Sequence, residues 1–373
     1  MFLEVHVIQN YALSNLNRDD TGAPKTCEFG GVRRARISSQ CLKRAVRTYF
    51  REEAVVPSAQ LSYRTKRLRF ELDDRFTARG LDAEMAATLA VAVVEQLGLK
   101  LKNDKTEYLL MLGTQEIEQL AVIAHDNREA LIGPKKAAKG DKALQSLLLD
   151  ALGGGEAVDL ALFGRMIADK PDKNVDAAVQ MAHAFSTHAV ATEFDFYSAV
   201  DDLQPNDAEE GAGAGMLGTT LYNSAAYYRY ANLDLGQLET NLDGNQNQVT
   251  AAAKAFVAGM IHAVPTGKQT GSAAQNPPAL IMLVVRDKGL WSLANAFVKP
   301  VRATAGEDLV QLSGSALVSH YAKISRLYGA AGIRYAAAAT YLDLEALPAG
   351  VATAESVDEL IHGAMDALAA AHE

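Results

Sequence analysis

Seven cations crowd residues 27–51, CEFGGVRRARISSQCLKRAVRTYFR: Arg33, Arg34, Arg36, Lys43, Arg44, Arg47 and Arg51, opposed by the single acid Glu28. The whole chain carries 36 Lys+Arg against 45 Asp+Glu, a formal net charge of −9. A basic patch on an acidic protein has no global cause and marks a specific anionic partner. The same run holds three further devices that attract phosphate. Gly30-Gly31 gives a turn whose backbone can come close to a ligand. Ser38 or Ser39 caps a helix, which opens a helix N-terminus to anions. Leu42, Ala45, Val46, Tyr49 and Phe50 fall on one apolar helical face, and Gln40, Arg44, Arg47 and Arg51 line the polar stripe beside it, with Lys43 adjacent. A solvated charged face needs only the cations; the glycines, the serines and the scarcity of acids favour phosphate.

The residues that catalysis would need are arranged less favourably. Asp19-Asp20, Asp73-Asp74 and Asp201-Asp202 are adjacent pairs, and neighbours on a strand point to opposite faces, so they make poor metal clamps. Asp19 and Asp20 lie in a loop, where strand geometry sets no such limit. His183 and His188 have neither the i,i+4 spacing of one helical face nor a thiol pair to complete a zinc site, and read as structural. Gly267-Lys268-Gln269-Thr270 imitates the end of a phosphate-binding loop, but the required first glycine is His262, so nucleotide hydrolysis is excluded. Lys268 remains a candidate nucleic-acid contact. Gly211, Gly213 and Gly215 follow an acidic loop rather than a strand, which excludes a dinucleotide fingerprint. No metal and no cofactor are expected.

The elements that position these residues follow from pattern. Mean hydropathy of −0.03 with 49% hydrophobic residues describes a globular protein with ample core. Cys27 and Cys41 have no pairing motif and point to a reducing compartment. No secretory leader is expected, and no apolar run approaches the roughly 20 residues of a membrane span; a cytoplasmic protein follows. Phe2 to Gln9 reads as a first strand, residues 10–37 as a long functional loop, and 39–52 as the basic helix. Segments 82–98, 114–130 and 140–152 read as helices, with Thr114 an N-cap. A second basic cluster, Tyr63 to Arg69, is a solvated surface or a contact with a neighbour or a nucleic acid. Ala157 to Met166 and Val175 to Val190 read as strands, and 191–220 as a projecting hairpin with a polar tip from Pro205 to Gly215. Thr219 to Leu233 is a Tyr-rich strand, 248–263 a helix, Ala279 to Val285 a central strand, then helix 307–328, strand 334–342 and helix 355–371. The order strand, helix, strands, helix, strand is ferredoxin-like. No RNP1 aromatic run is present, so a sheet of this kind would hold an RNA backbone rather than stack on bases.

FGGVRRARISSQCLKRA resembles the N-terminal signature of the CasC family, the repeated backbone subunit of type I-E Cascade, a CRISPR RNA-guided surveillance complex. Asn17-Arg18-Asp19-Asp20 fits the same family, as do Ala182 to His188, Ala199 to Leu203 and Tyr228 to Asn232, in order along the chain. The helical region 54–160 matches only weakly.

The resemblance implies an α+β fold: a modified ferredoxin-like (RRM-like) palm with inserted helical fingers and a β-hairpin thumb. The implied domains are palm 1–53, helical fingers 54–156, palm strands 157–190, thumb 191–223 and palm 224–373. It implies a non-catalytic subunit that polymerises head-to-tail along a CRISPR RNA guide, beside other Cascade subunits, for recognition of a target DNA strand; no membrane is involved. The expected guide-backbone contacts are Arg18, Lys25, Arg33, Arg34, Arg36, Ser39, Gln40, Lys43, Arg44, Arg47 and Lys268. Met166 and Leu217 match positions that wedge apolar side chains beside a turned-out base, and Phe196, Tyr197 and Val200 match thumb residues that pack on neighbouring bases. Two alternatives stand beside this reading: a type III-like backbone subunit that cleaves paired target RNA, and a stand-alone single-stranded RNA-binding module.

Overall fold

Seven consecutive apolar or paired residues, Leu280–Arg286, are all buried, as a strand covered on both faces must be. This strand lies in the interior of a ten-stranded sheet. Its neighbours are Phe2–Ser14, in antiparallel register from Phe2 opposite Arg286 to Ile8 opposite Leu280, and Ile333–Thr340, also antiparallel. The computed structural model describes residues 1–133, 142–153, 157–167, 170–199 and 216–370. Across the sheet the strands run Ala352–Thr353, Ile333–Thr340, Leu280–Arg286, Phe2–Ser14, Met216–Asp234, Ala184–Ser186, Val32–Ile37 and Thr26–Phe29, with Glu193–Ala199 and Val179–Met181 also pairing to Met216–Asp234. The result is a mixed α/β fold around a central sheet.

The chain divides into two units. The sheet unit comprises Met1–Thr48, Met181–Asn232 and Val257–Glu373; the helical unit comprises Tyr49–Gln180 and Leu233–Phe256. In the sheet unit, Ile8, Tyr228, Tyr230, Met282 and Val284 pack beneath Leu317 and Tyr321 of the helix Leu309–Tyr328. The same layer holds a buried ion pair, Arg286 Nε to Glu4 Oε2 at 2.6 Å. Tyr230 Oη (2.8 Å) and the Trp291 N–H (2.6 Å) donate to the other carboxylate oxygen, and the guanidinium lies 4.0 Å from the Trp291 ring centroid. Satisfying the second carboxylate oxygen in this way offsets part of the cost of burying the pair. In the helical unit, Leu68, Leu72, Phe76, Leu89, Val93, Ile117 and Leu120 form the core of packed helices.

Several expectations need correction. The first strand runs on to Ser14, and residues 26–37 are not loop but an antiparallel hairpin, Thr26–Phe29 against Val32–Ile37. Gly30 (φ +63°) and Gly31 (φ +74°) form its two-residue turn, both with the positive φ that a type I′ turn requires. Gly30 serves packing rather than a ligand: a Cβ there would lie 1.8 Å from the Val298 carbonyl oxygen. Ala157 to Met166, read as a strand, contains the helix Val158–Phe163; a short apolar run fits either period. Val175 to Val190 yields only the short strands Val179–Met181 and Ala184–Ser186. Gly113 rather than Thr114 occupies the N-cap of Thr114–Asp126, where the Glu116 carboxylate accepts the Gly113 N–H at 2.7 Å. The helices Ser39–Glu52, Ala83–Gln96, Gln246–His262, Leu309–Tyr328 and Val357–Ala369 lie where periodicity placed them.

Candidate nucleic-acid interface

The basic helix Ser39–Glu52 starts without an acid in its first turn. Its first N–H groups are partly taken: Ser38 Oγ accepts from the Cys41 N–H at 3.2 Å, and His183 Nδ1 accepts from the Ser39 N–H at 2.9 Å. Ser38 is therefore the cap, and Ser39 stands at the mouth of the helix. The His183 bond fixes its neutral tautomer with the proton on Nε2. Burial first, then the cations Arg36 and Lys25, hold the His183 pKa below its ordinary value. The helix is seated through Leu42, which packs with Tyr11, Ala35, Ile37, Ala184 and Tyr227.

Three other segments bring cations to this end of the helix. Asn17 anchors the first: its Oδ1 accepts from the Ser38 N–H at 2.8 Å, and its carbonyl accepts from the Lys25 N–H at 2.8 Å. The second is the strand Val32–Ile37, where the Arg36 N–H donates to the Lys25 carbonyl at 2.8 Å and Arg36 Nε donates to Thr26 O at 3.2 Å. The third is the loop before Lys268. Gly267 packs so closely on the Leu16 carbonyl oxygen that a Cβ would fall 2.3 Å from it, and Arg44 Nη1 lies 3.5 Å from Thr266 Oγ1. Lys268 itself is exposed at φ +55°. Lys25, Arg36, Ser39, Gln40, Arg44 and the Lys268 loop thus surround one helix N-terminus, where backbone N–H groups and the helix dipole add to the cations. Burial lowers the pKa of Lys43 on the same helix. Arg33 is exposed on the outer hairpin and Arg18 on the preceding loop, paired through its backbone with Pro24.

Arg34 does not belong to this surface. It is fully buried and donates from Nε to Phe29 O (3.1 Å), from Nη1 to Ser186 O (3.0 Å) and from Nη2 to Phe297 O (2.7 Å). A guanidinium spent on three carbonyls inside the sheet unit cannot meet a phosphate; it joins the hairpin to two other segments. Asp19 is likewise engaged: its Oδ1 accepts from the N–H and Oγ of Thr21 and the N–H of Ala23 at 2.8–3.0 Å, and the Thr21 hydroxyl holds its carboxyl below the usual range. This is a loop-shaping turn.

A second exposed feature is the hairpin of Glu193–Ala199 against Met216–Tyr222, in register Phe194–Leu221, Phe196–Thr219, Tyr197–Gly218 and Ser198–Leu217. All seven residues of Glu193–Ala199 are exposed. Directly opposed residues share a face, so Phe194 (75% exposed), Phe196 (68%) and Leu217 (59%) make one apolar face, with Tyr197 and Met216 on the other. Phe194 was not among the expected residues, although its spacing of two from Phe196 carried the signal. Gly218 makes room for the Tyr197 ring, whose atoms a Cβ would meet at 2.5 Å. Met166, in the helical unit, is 80% exposed, so core packing does not account for it. Val200, Asp201, Asp202 and the segment Pro205 to Gly215 lie outside the described residues.

The family of CT1975-like proteins matches residues 3–363. No curated protein matches the chain. Among solved structures, a chain of a CRISPR RNA-guided surveillance complex, pre-nicking, is 32% identical, with 100% of both chains covered and a TM-score of 0.86. A chain of another CRISPR RNA-guided surveillance complex is 28% identical over 98% of this chain and 100% of that one, with a TM-score of 0.76.

Proposed function

From the premise that the chain belongs to the CT1975-like family, we propose that it is the backbone subunit of a type I-E Cascade, gripping a CRISPR RNA guide by its phosphates and repeating head-to-tail along it. The observation that carries this reading is the acid-free N-terminus of Ser39–Glu52 with Lys25, Arg36, Arg44 and the Lys268 loop gathered around it. The likeness to chains of CRISPR RNA-guided surveillance complexes supports a Cascade-like role. In this reading the sheet unit is the palm, the helical unit the fingers and the hairpin at Glu193–Tyr222 the thumb. The contacts are to phosphate and sugar, which carry no sequence information and so suit any guide. Pairing to a target DNA strand is left to the guide, and the proposed role is non-catalytic; the engagement of Asp19, one of the two loop acids, in its own turn supports that part of the reading. No helix among the described residues is long and apolar enough to cross a membrane; the cytoplasm is the proposed place of work.

The test is the salt dependence of RNA binding together with the mass of the bound species. At about −0.7 per phosphate on a single strand, contacts by Arg33, Arg36, Lys43, Arg44 and Arg47 give a log–log slope of roughly −3.5. Mass should rise in steps of one chain as the RNA is lengthened. A flat salt response would remove the cations from the interface, and one chain per RNA at every length would leave a stand-alone RNA-binding module.

A further inference from the structure

A second basic surface lies wholly within the helical unit. The strand Ser62–Thr65 leads through Lys66 and Arg67 into the helix Leu68–Ala78. The small hairpin Leu101–Lys102 against Lys105–Thr106 is tied to it: the Thr106 N–H donates to Lys66 O at 3.0 Å, and Lys66 Nζ donates to Glu107 O at 2.8 Å. Residues 63–70 and 100–108 together hold seven cations, Arg64, Lys66, Arg67, Arg69, Lys100, Lys102 and Lys105, against Asp104 and Glu107.

The internal chemistry of this patch leaves positive charge uncompensated. Lys102 and Lys105 are directly opposed across the two-residue turn Asn103-Asp104, where both central residues take positive φ (+51° and +58°). Like charges directly opposed across a strand pair are destabilising, and a turn with other residues at these positions would make the same hairpin. Asp104 faces Arg69 instead, at 4.0 Å, and Arg69 Nε is buried without a hydrogen-bond partner among the described residues. Arg67 and Arg69 flank the Phe70 ring, their guanidinium carbons 4.7 and 4.9 Å from its centroid, which holds both heads in place. Tyr108 and Leu109, half exposed, border the patch. Among the described residues no ion pair engages Arg64, Lys66, Arg67, Lys100, Lys102 or Lys105.

We propose that these six cations form a second phosphate-binding surface, which holds the backbone of a nucleic-acid strand independently of the helix Ser39–Glu52. A polyanion fits because the surface offers fixed arginines beside flexible lysines with no carboxylate placed to pair them, the pattern of sequence-independent phosphate contact. The exposed Tyr108 offers an unpaired base a ring to stack on.

The experiment uses the full chain assembled on its RNA, with labelled random-sequence duplex DNA and single-stranded DNA as probes. The double variant Lys102→Glu/Lys105→Glu keeps a like-charge pair across the hairpin, and its thermal unfolding is compared with that of wild type so that a loss of fold is read separately from a loss of binding. It should retain RNA content and assembly mass while DNA binding falls at least about tenfold. The log–log salt slope should become shallower by about 1.8 if the probe is held as duplex and about 1.4 if held as a single strand. Unchanged DNA affinity and slope would overturn the proposal. So would loss of self-association or of another protein subunit with DNA binding intact, which would make the patch a protein interface. If the wild type failed to hold RNA at all, the reading of Ser39–Glu52 would fall, and the same DNA titration on the free chain would still decide this one.

Discussion

The basic helix mouth and the exposed hairpin are both unfinished surfaces, and they are unfinished in opposite ways. At the start of Ser38–Arg47 the backbone is pinned by Asn17 and His183, and what remains outward is charge. Along Glu193–Ala199 and Met216–Tyr222 the described backbone is held by its partner strand, with Asn15 Nδ2 donating to Leu221 O at 2.8 Å near the base, and the large side chains that remain outward are apolar. An isolated two-stranded hairpin is marginal in water, whereas a preorganised cluster of cations keeps its geometry without a ligand. The first surface can wait for a polyanion as it is. The second needs another body to cover Phe194, Phe196 and Leu217, and the proposed neighbour, a further copy of the chain, would supply it through an open head-to-tail contact.

The largest effect should come from reversing the polarity of the hairpin. Phe196→Asp, Tyr197→Asp and Leu217→Asp together should leave a folded chain that binds a short RNA but forms no long assembly on a long one. Native mass or light scattering against RNA length reads this directly. Full-length assembly by the triple variant would mean that the hairpin is not the neighbour contact, and the comparison would collapse to one functional surface. Arg44→Glu should do the reverse: binding weakened about 10- to 100-fold on every RNA sequence alike, with a shallower salt slope, because phosphate contacts are blind to sequence.

The two arginines at 33 and 34 sharpen the boundary between rim and frame. Arg34→Ala leaves the carbonyls of Phe29, Ser186 and Phe297 without donors and should destabilise the chain by about 2–4 kcal/mol. Arg33→Ala, on an exposed site, should change stability by no more than about 0.5 kcal/mol and reduce RNA affinity instead. Chemical denaturation and RNA titration on the pair give the two readouts; equal stability losses would place Arg33 in the frame as well.

That pair also shows where the sequence stops being legible. The run from Val32 to Ile37 alternates, but with three arginines it reads as an exposed loop, and only tertiary context reveals that Arg34 turns inward to carbonyls 152 and 263 residues away. The basic helix was legible because Leu42, Val46 and Phe50 repeat at helical spacing, and the central strand because seven residues in a row can all be buried only between two faces. The helix Leu68–Ala78 was missed although Leu68, Leu72 and Phe76 repeat every four residues; its arginine-rich start hid the pattern. Val158–Phe163 misled differently. Asp159 is buried in it because Ser62 donates to both its oxygens at 2.7 and 2.9 Å, and no local pattern announces a carboxylate satisfied from 97 residues away.

The smallest predicted effect separates the two surfaces by pH. His183 keeps a lowered pKa through burial first and then through Arg36 and Lys25. Its folded pKa lies below the unfolded value, so the unfolded chain takes up the proton first and this group's contribution to stability is lost as pH falls below about 6.5. Phosphate bound at Arg36 and Lys25 would offset their repulsion and raise the His183 pKa towards its ordinary value. RNA binding would then take up a fraction of a proton, and by linkage affinity must rise as pH falls, by about two- to threefold between pH 7.5 and 6 at constant salt. His183→Gln, whose side-chain oxygen can still accept the Ser39 N–H, should flatten that dependence while keeping the helix mouth in place. Association through the hairpin, where the apolar residues Phe194, Phe196 and Leu217 carry no titrating group, should show no such pH response in either protein. An identical pH profile for wild type and His183→Gln would mean that phosphate does not sit at Arg36 and Lys25, and would move the grip further along the helix towards Arg44 and Arg47.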